Sequence, residues 1–185
     1  LEAYNQRVSL SEYAHYATPG LSFDTTLEKG HPFAYHVYGC AALIATVDCL
    51  RGIYTFDRVH VIHDFGDCMN RDVDLGQAEG GIVQGIGWMT MEELRFNEQG
   101  RLLSNALSTY KVPDIFAVPE QLRVEFLDHA GSPYAIFKSK AVGEPPLMYG
   151  IGAYFAIRNA IRAFQSQPFA FSAPMTHEKV LMALY

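Results

Sequence analysis

Cysteine is scarce in this chain, and the scarcity is a first constraint. Three cysteines, Cys40, Cys49 and Cys68, stand among 185 residues, with no Cys-x-x-Cys spacing. They suit neither a zinc site nor a disulfide framework. Buried thiols in a reducing cytoplasm are the expected state. Long apolar runs are also missing. The longest, residues 40–47, falls far short of the roughly 20 residues a membrane helix needs. No secretory signal pattern opens the chain. Lysines and arginines are scattered, and the formal net charge is −6. Nothing electrostatic therefore calls for nucleic acid or an anionic membrane as partner. Repeats and low-complexity tracts are absent, and no Gly-Lys-Ser/Thr follows a glycine run, which removes a phosphate-cradling P-loop.

What is present is core-forming material. Apolar residues make up 49% and charged residues 18%, as in a folded globular protein. The length suffices for one domain with its own core, and residues 1–185 are expected to lack an internal boundary. The chain starts at Leu1 rather than methionine, as a processed product or a piece of a longer polypeptide would.

The pattern predicts a mixed α+β fold: antiparallel strand pairs packed by a glycine-rich helix and a second long helix. Residues 7–17 alternate and read as a strand stopped by Thr18-Pro19-Gly20. Residues 35–49 and 53–64 read as an antiparallel hairpin around Leu50-Arg51-Gly52. A helix is expected over 72–93, capped by Asn70 or Asp72. A hairpin turn follows at 97–100, then a strand over 121–127 and an extended run over 134–138. Residues 147–164 carry helical spacing, and Thr176 caps a last helix through Leu184.

His60 and His63 invite a metal reading. Positions three apart on a strand face opposite ways, so the two imidazoles cannot converge. His15, His31, His36, His129 and His177 show no ligand spacing either.

Two stretches carry chemistry. In Ser139-Lys140-Ala141-Val142-Gly143-Glu144-Pro145-Pro146-Leu147 a carboxylate lies between a glycine and two prolines. Proline biases the preceding residue away from the α region, so Glu144 is expected to be extended. The prolines can enter a helix, which places Glu144 at a helix N-terminus, where the ionised form is favoured. Local chemistry leaves two readings open: a general base held in place, or simply one of the acids common at helix starts. The second stretch is residues 76–88, with five glycines between 76 and 87. Each interior glycine costs about 0.8–1 kcal/mol relative to alanine, so the helix must gain something from bare backbone. Gly76 and Gly80 are four apart, as are Gly81 and Gly85. Tight packing against another element explains such patches as well as a bulky ligand does. Gln77, in the first turns, can donate a hydrogen bond to an oxygen ligand without adding charge.

Taken as a pair, Gly76-Gln77-x-Glu79-Gly80 and the Lys-Ala-Val-Gly-Glu-Pro-Pro-Leu string at 140–147 resemble the xanthine dehydrogenase and aldehyde oxidase family of molybdenum hydroxylases. The likeness runs from about residue 8 to 180, and the Ala-Val before Gly143 is closer to the xanthine dehydrogenase branch. Ser108 to Pro113 and the Asp64-Phe65-Gly66 turn also match; Arg71 stands where the family usually has proline. The resemblance implies that the chain is the C-terminal part of a molybdopterin-binding domain. Glu144 would be the general base, with Gln77 beside the molybdenum centre and Gly76 and Gly80 against the cofactor. The reaction implied is hydroxylation of a purine-type heteroaromatic with water as oxygen source. The alternatives are aldehyde or other N-heterocycle oxidation, or a non-catalytic structural module. Molybdenum–molybdopterin would be shared with segments absent here. Iron–sulfur clusters and FAD would lie on other domains or subunits of an oligomeric cytoplasmic enzyme, and this chain alone would be inactive.

Overall fold

The computed structural model describes residues 1–128 and 130–185. His129, one of the histidines weighed above, lies outside the described residues. The chain divides into two units, Leu1–His36 and Val37–Tyr185.

In the first unit, a one-turn helix α1 (Glu2–Asn5) precedes a small antiparallel ribbon of β1 (Ser22–Asp24) and β2 (Lys29–His31). Asp24 shapes the ribbon's turn: its Oδ1 accepts from the Thr26 and Leu27 amides at 2.8 and 2.9 Å. The strand expected over residues 7–17 does not form. Its alternation meets no partner strand among the described residues, and a strand without a ladder leaves its backbone groups to water.

The second unit is built on a hairpin. β3 (Gly39–Asp48) pairs antiparallel with β4 (Ile53–His63) around the expected turn, where Asp48 Oδ1 accepts from Leu50 N at 3.0 Å. The register slips between Ile44 and Ala45, leaving one extra residue on β4. Such a bulge switches the alternation. The buried side chains of β4 accordingly run Phe56, then Val59, Val61 and His63, while His60 points the other way. β5 (Gln121–Phe126) adds to β4 in parallel, beside the antiparallel pairs that the sequence pattern predicts. The hairpin turn satisfied the antiparallel pattern; β5 arrives through a long connection that carries α2, as a parallel neighbour must.

α2 (Arg71–Thr90) is the glycine-rich helix. Asn70 is its cap, accepting from Val73 N at 3.3 Å. Ala78, Ile82, Ile86 and Met89 form its apolar stripe against Phe56, Val59, Val61 and Phe65. Arg71, the first residue of α2, makes a contact across to β5. Its guanidinium lies 4.0 Å from the centre of the Phe126 ring, which stacks on Phe65 at 4.1 Å. A cation over an aromatic face is worth about 0.5–1 kcal/mol at exposed sites.

The second long helix is composite. A 3₁₀ segment, Pro145–Ile151, runs straight into α3 (Gly152–Phe164). Tyr154, Ile157 and Ile161 bury one face of α3. α4 (His177–Leu184) is capped by Thr176, as its sequence indicates. Residues 134–138 are not extended: Ile136–Lys138 is a 3₁₀ turn with Phe137 and Lys138 in the left-handed region. The thiols also differ from expectation, since Cys40 is exposed and Cys49 and Cys68 are only partly buried; all three are free. The Cys68 thiol is pushed up to about 11 by desolvation and the neighbouring Asp74 carboxylate. No helix among the described residues is long and apolar enough to cross a membrane.

Candidate functional site

The Glu144 segment lies along α2, and the helix's glycines decide how. At about 100° per residue, the order around α2 is Gly76, Gly80, Gln77, Gly81, Gly85. The last two are packed. A methyl on Gly81 would meet Pro146 Cβ at 3.2 Å, and one on Gly85 would meet the Leu147 carbonyl oxygen at 2.1 Å. The first two face open space, with no atom of the described residues within 4 Å of an added Cβ. The two readings of the glycines thus divide between the two pairs. Gly81 and Gly85 admit the backbone of residues 145–150, whereas Gly76 and Gly80 keep a bare face.

Gln77 sits at the seam between packed and open. Its Nε2 is 3.7 Å from where a side chain on Gly143 would begin. It is therefore next to the residue before Glu144, on an exposed face. Glu144 itself is exposed and stands as the cap residue of the 3₁₀ segment, as placed from the sequence. Its backbone is α-like (φ −96°, ψ −40°) rather than extended. The reason is its carbonyl, which accepts from Leu147 N at 3.1 Å. That bond, with Pro146 seated on Gly81, outweighs the proline bias.

Below the open face the segment is held by buried polar contacts. Lys140 Nζ donates to Asp64 Oδ2 at 2.6 Å, with the Asp64 side chain 1% and the Lys140 side chain 9% exposed. The other carboxylate oxygen, Asp64 Oδ1, accepts from Gly66 N at 3.0 Å. Gly66 pairs with Ser139, and Asp67 N donates to Lys138 O at 3.0 Å. Gly66 has φ +64°, and a side chain there would come within 2.5 Å of the Lys138 oxygen; the turn needs glycine on both counts. On the far side of Glu144, the Tyr149 hydroxyl lies 2.7 Å from His63 Nδ1. Gly39 makes room, because a Cβ there would fall 1.7 Å from that hydroxyl. His63 is fully buried, with its ring edge-on to Phe65 at 4.4 Å. Desolvation pushes its basicity below the ordinary histidine value, against the pull of Asp64. Its Nε2 has no hydrogen-bond partner among the described residues; the Ala141 backbone is near enough to act on the ring but falls short of hydrogen-bond geometry. Burial likewise raises the Tyr149 phenol above its usual value.

The open face fits a cofactor that brings its own metal ligands. Among the described residues no three His, Cys, Asp or Glu side chains gather to hold a metal ion. The face offers instead an uncharged amide donor, Gln77, a carboxylate, Glu144, and bare backbone at Gly76 and Gly80, where a bulky group can approach. His60, rejected as a ligand, pairs with Glu125 at 2.9 Å. A separate cavity of about 500 Å³ is bordered by Tyr54, Phe56, Thr90, Phe116 and His177. Neither Gln77 nor Glu144 touches it, and the chemistry suggested by the sequence lies elsewhere.

Sequence reasoning missed the anchoring set. Nothing local in the sequence pairs Lys140 with Asp64 or Tyr149 with His63, because the partners are 76 and 86 residues apart in the chain.

Comparisons with known proteins bear on the same stretch. Residues 1–119 match the family model for the molybdopterin cofactor-binding domain. The chain is 40% identical over 187 residues to the xanthine dehydrogenase/oxidase of Rattus norvegicus, covering 97% of this chain and 14% of that protein. It is 40% identical over 183 residues to the xanthine dehydrogenase of Dictyostelium discoideum, covering 95% and 14%. Among solved structures, the aldehyde oxidoreductase of Desulfovibrio gigas superposes with a TM-score of 0.72 at 30% identity, covering 89% of this chain and 17% of that one. The quinoline 2-oxidoreductase of Pseudomonas putida 86 gives 0.71 at 25% identity, covering 79% and 18%. The chain thus spans about one seventh of the curated relatives it matches.

Proposed function

We propose, for a chain that belongs to the molybdopterin cofactor-binding domain family, that it forms one wall of the cofactor pocket of a molybdenum hydroxylase and supplies the general base, Glu144. The observation behind this reading is the seam on α2. Gln77 and the Gly143-Glu144 pair meet at the border of a bare face, with packed backbone directly beneath. Residues 1–185 act as the C-terminal portion of the domain. Segments elsewhere in the enzyme complete the pocket, and the chain alone is inactive.

The reaction converts a C–H bond and water into C–OH, two protons and two electrons. The cofactor, when bound, supplies the two-electron redox centre. Gln77 Nε2 would hold the cofactor through a hydrogen bond to one of its oxygens, and Gly76 and Gly80 would let it approach the backbone. The Glu144 carboxylate takes the proton that water gives up. A carboxylate is suited to this only if it is held still. Iron–sulfur clusters and FAD on other domains or subunits of a cytoplasmic oligomer would accept the two electrons. The substrate is a purine-type heteroaromatic. Supporting this are the xanthine dehydrogenases among the relatives and Ala141-Val142 before Gly143. A second reading, oxidation of an aldehyde or another N-heterocycle by the same residues, draws on the structural likeness to the aldehyde and quinoline enzymes.

The test is Glu144→Gln in the complete, cofactor-loaded enzyme, with xanthine as first probe and benzaldehyde as second. The expected result is loss of most turnover at unchanged molybdenum content and thermal stability. Near-parental turnover would remove Glu144 from the chemistry and leave this chain a structural module.

A further inference from the structure

The last residue of β4 and the residue that follows it hold the Glu144 segment at both shoulders. Asp64 directly follows the strand and grips Lys140, four residues before Glu144. His63 ends the strand and grips Tyr149, five residues after it. Adjacent residues thus reach opposite ends of one loop. On the strand side both grips are buried: Asp64 and His63 are 1% and 0% exposed.

Neither grip is there for packing alone. A buried ion pair is weak evidence for stability, since apolar residues of similar volume often do as well. The His63–Tyr149 pair carries a visible cost, because Nε2 of the same ring is buried without a partner among the described residues. Both contacts, however, are directional. A hydrogen bond fixes distance and angle in a way that aliphatic packing does not. Between the shoulders, Glu144 itself has no side-chain bond to the start of the helical segment it caps. Its position is inherited from the two ends.

We propose that the Asp64–Lys140 and His63–Tyr149 contacts are paired struts that position the Glu144 carboxylate, making Lys140 and Tyr149 positioning residues for the hydroxylation. The inference rests on the reading of Glu144 as base. It adds that the strut pair, built from consecutive residues of one strand end, sets the geometry on which that base depends. The Tyr149 ring lies edge-on to His63 at 5.6 Å, so Tyr149→Phe removes the hydroxyl strut and keeps the ring contact.

The experiment compares parent, Tyr149→Phe, Glu144→Gln and the double variant as complete cofactor-loaded enzymes, with xanthine and benzaldehyde as probes. Lys140→Arg and Lys140→Met are read beside them. Amide hydrogen exchange is followed over residues 139–150. The inference expects Tyr149→Phe to lower kcat about tenfold or more at little-changed KM and molybdenum content, within the roughly 100-fold that a 1 Å misplacement can cost. It expects that loss to vanish in the Glu144→Gln background, faster exchange over 139–150, and partial retention of activity in Lys140→Arg but not Lys140→Met. An equal loss with and without Glu144 would make the struts merely structural and overturn the inference, as would unchanged exchange and kcat. If exchange quickens while Glu144→Gln keeps full turnover, the struts hold the loop but the base is another residue; the base reading and the positioning claim then both fail, distinguishably from a failure of the struts.

Discussion

Gly85 of α2 and Gly150 of the helical segment after Glu144 meet backbone to backbone. A methyl on Gly85 would lie 2.1 Å from the Leu147 oxygen and 3.0 Å from the Gly150 Cα; one on Gly150 would lie 2.3 Å from the Gly85 carbonyl carbon. All three obstacles are main chain, so none can rotate away. Gly85→Ala should therefore destabilise the protein by about 1–3 kcal/mol through overpacking, despite alanine's better helix propensity. Denaturant midpoints of parent and variant check this, and an unchanged or higher midpoint would mean that the seam yields.

Gly80→Ala should do the reverse. Nothing lies within 4 Å of the added methyl, so only propensity acts, a gain of about 0.8–1 kcal/mol. If the bare face receives the cofactor, the same methyl should reduce molybdenum retained on purification. A more stable protein with less cofactor is the expected pair of results. More stability with full cofactor content would place the cofactor away from Gly80.

These two glycines show what the sequence could and could not tell. The repeat of glycines at spacing four was legible, and so was the cost that demands an explanation. Which pair packs and which stays open was not, because that depends on the rotation of α2 relative to a segment sixty residues later. Hairpin, α2, α3 and the caps at Asn70 and Thr176 were readable from local signals. The strand over 7–17 was misread because alternation does not reveal whether a partner strand exists. Glu144 was expected to be extended because proline's local bias is visible in sequence, whereas the Leu147 bond and the Gly81 seat that override it are not. The contact of Arg71 with Phe126 was not legible either, because the two residues are brought together only by the packing of α2 on β5.

The Lys140–Asp64 pair makes a separate prediction about stability. Lys140→Met leaves a carboxylate that is 1% exposed without its cation, and breaking a buried pair from one side costs about 3–5 kcal/mol. Adding Asp64→Asn removes the orphaned charge and keeps an oxygen for the Gly66 amide. The double variant should therefore be more stable than Lys140→Met alone. Thermal unfolding of the three forms decides it. If the double variant is the least stable, Asp64 is held by contacts other than Lys140, and the pair is not a unit.

His63 predicts how stability depends on pH. Burial lowers its folded-state proton affinity below the ordinary 6.5, with Asp64 pulling the other way. Below 6.5 the unfolded chain takes up a proton that the folded chain resists, so unfolding is favoured as pH falls. The contribution is complete above 6.5 and is lost as pH drops from there toward the folded value. His177, also lowered by burial, acts with the same sign. Carboxylates enter later. Glu93, held low by Arg95 and Lys179, and Asp114, held low by Lys111, lose their contributions only as pH falls below their ordinary values of 4.5 and 3.8. The interval between pH 7 and 5 therefore isolates the histidines. Denaturant midpoints measured across it should fall with pH in the parent and fall less in His63→Met, which keeps an apolar side chain in the buried site. An equal slope in the two proteins would mean that His63 reaches water or a proton acceptor in the folded state, and the His63–Tyr149 contact would then be the first distance to remeasure.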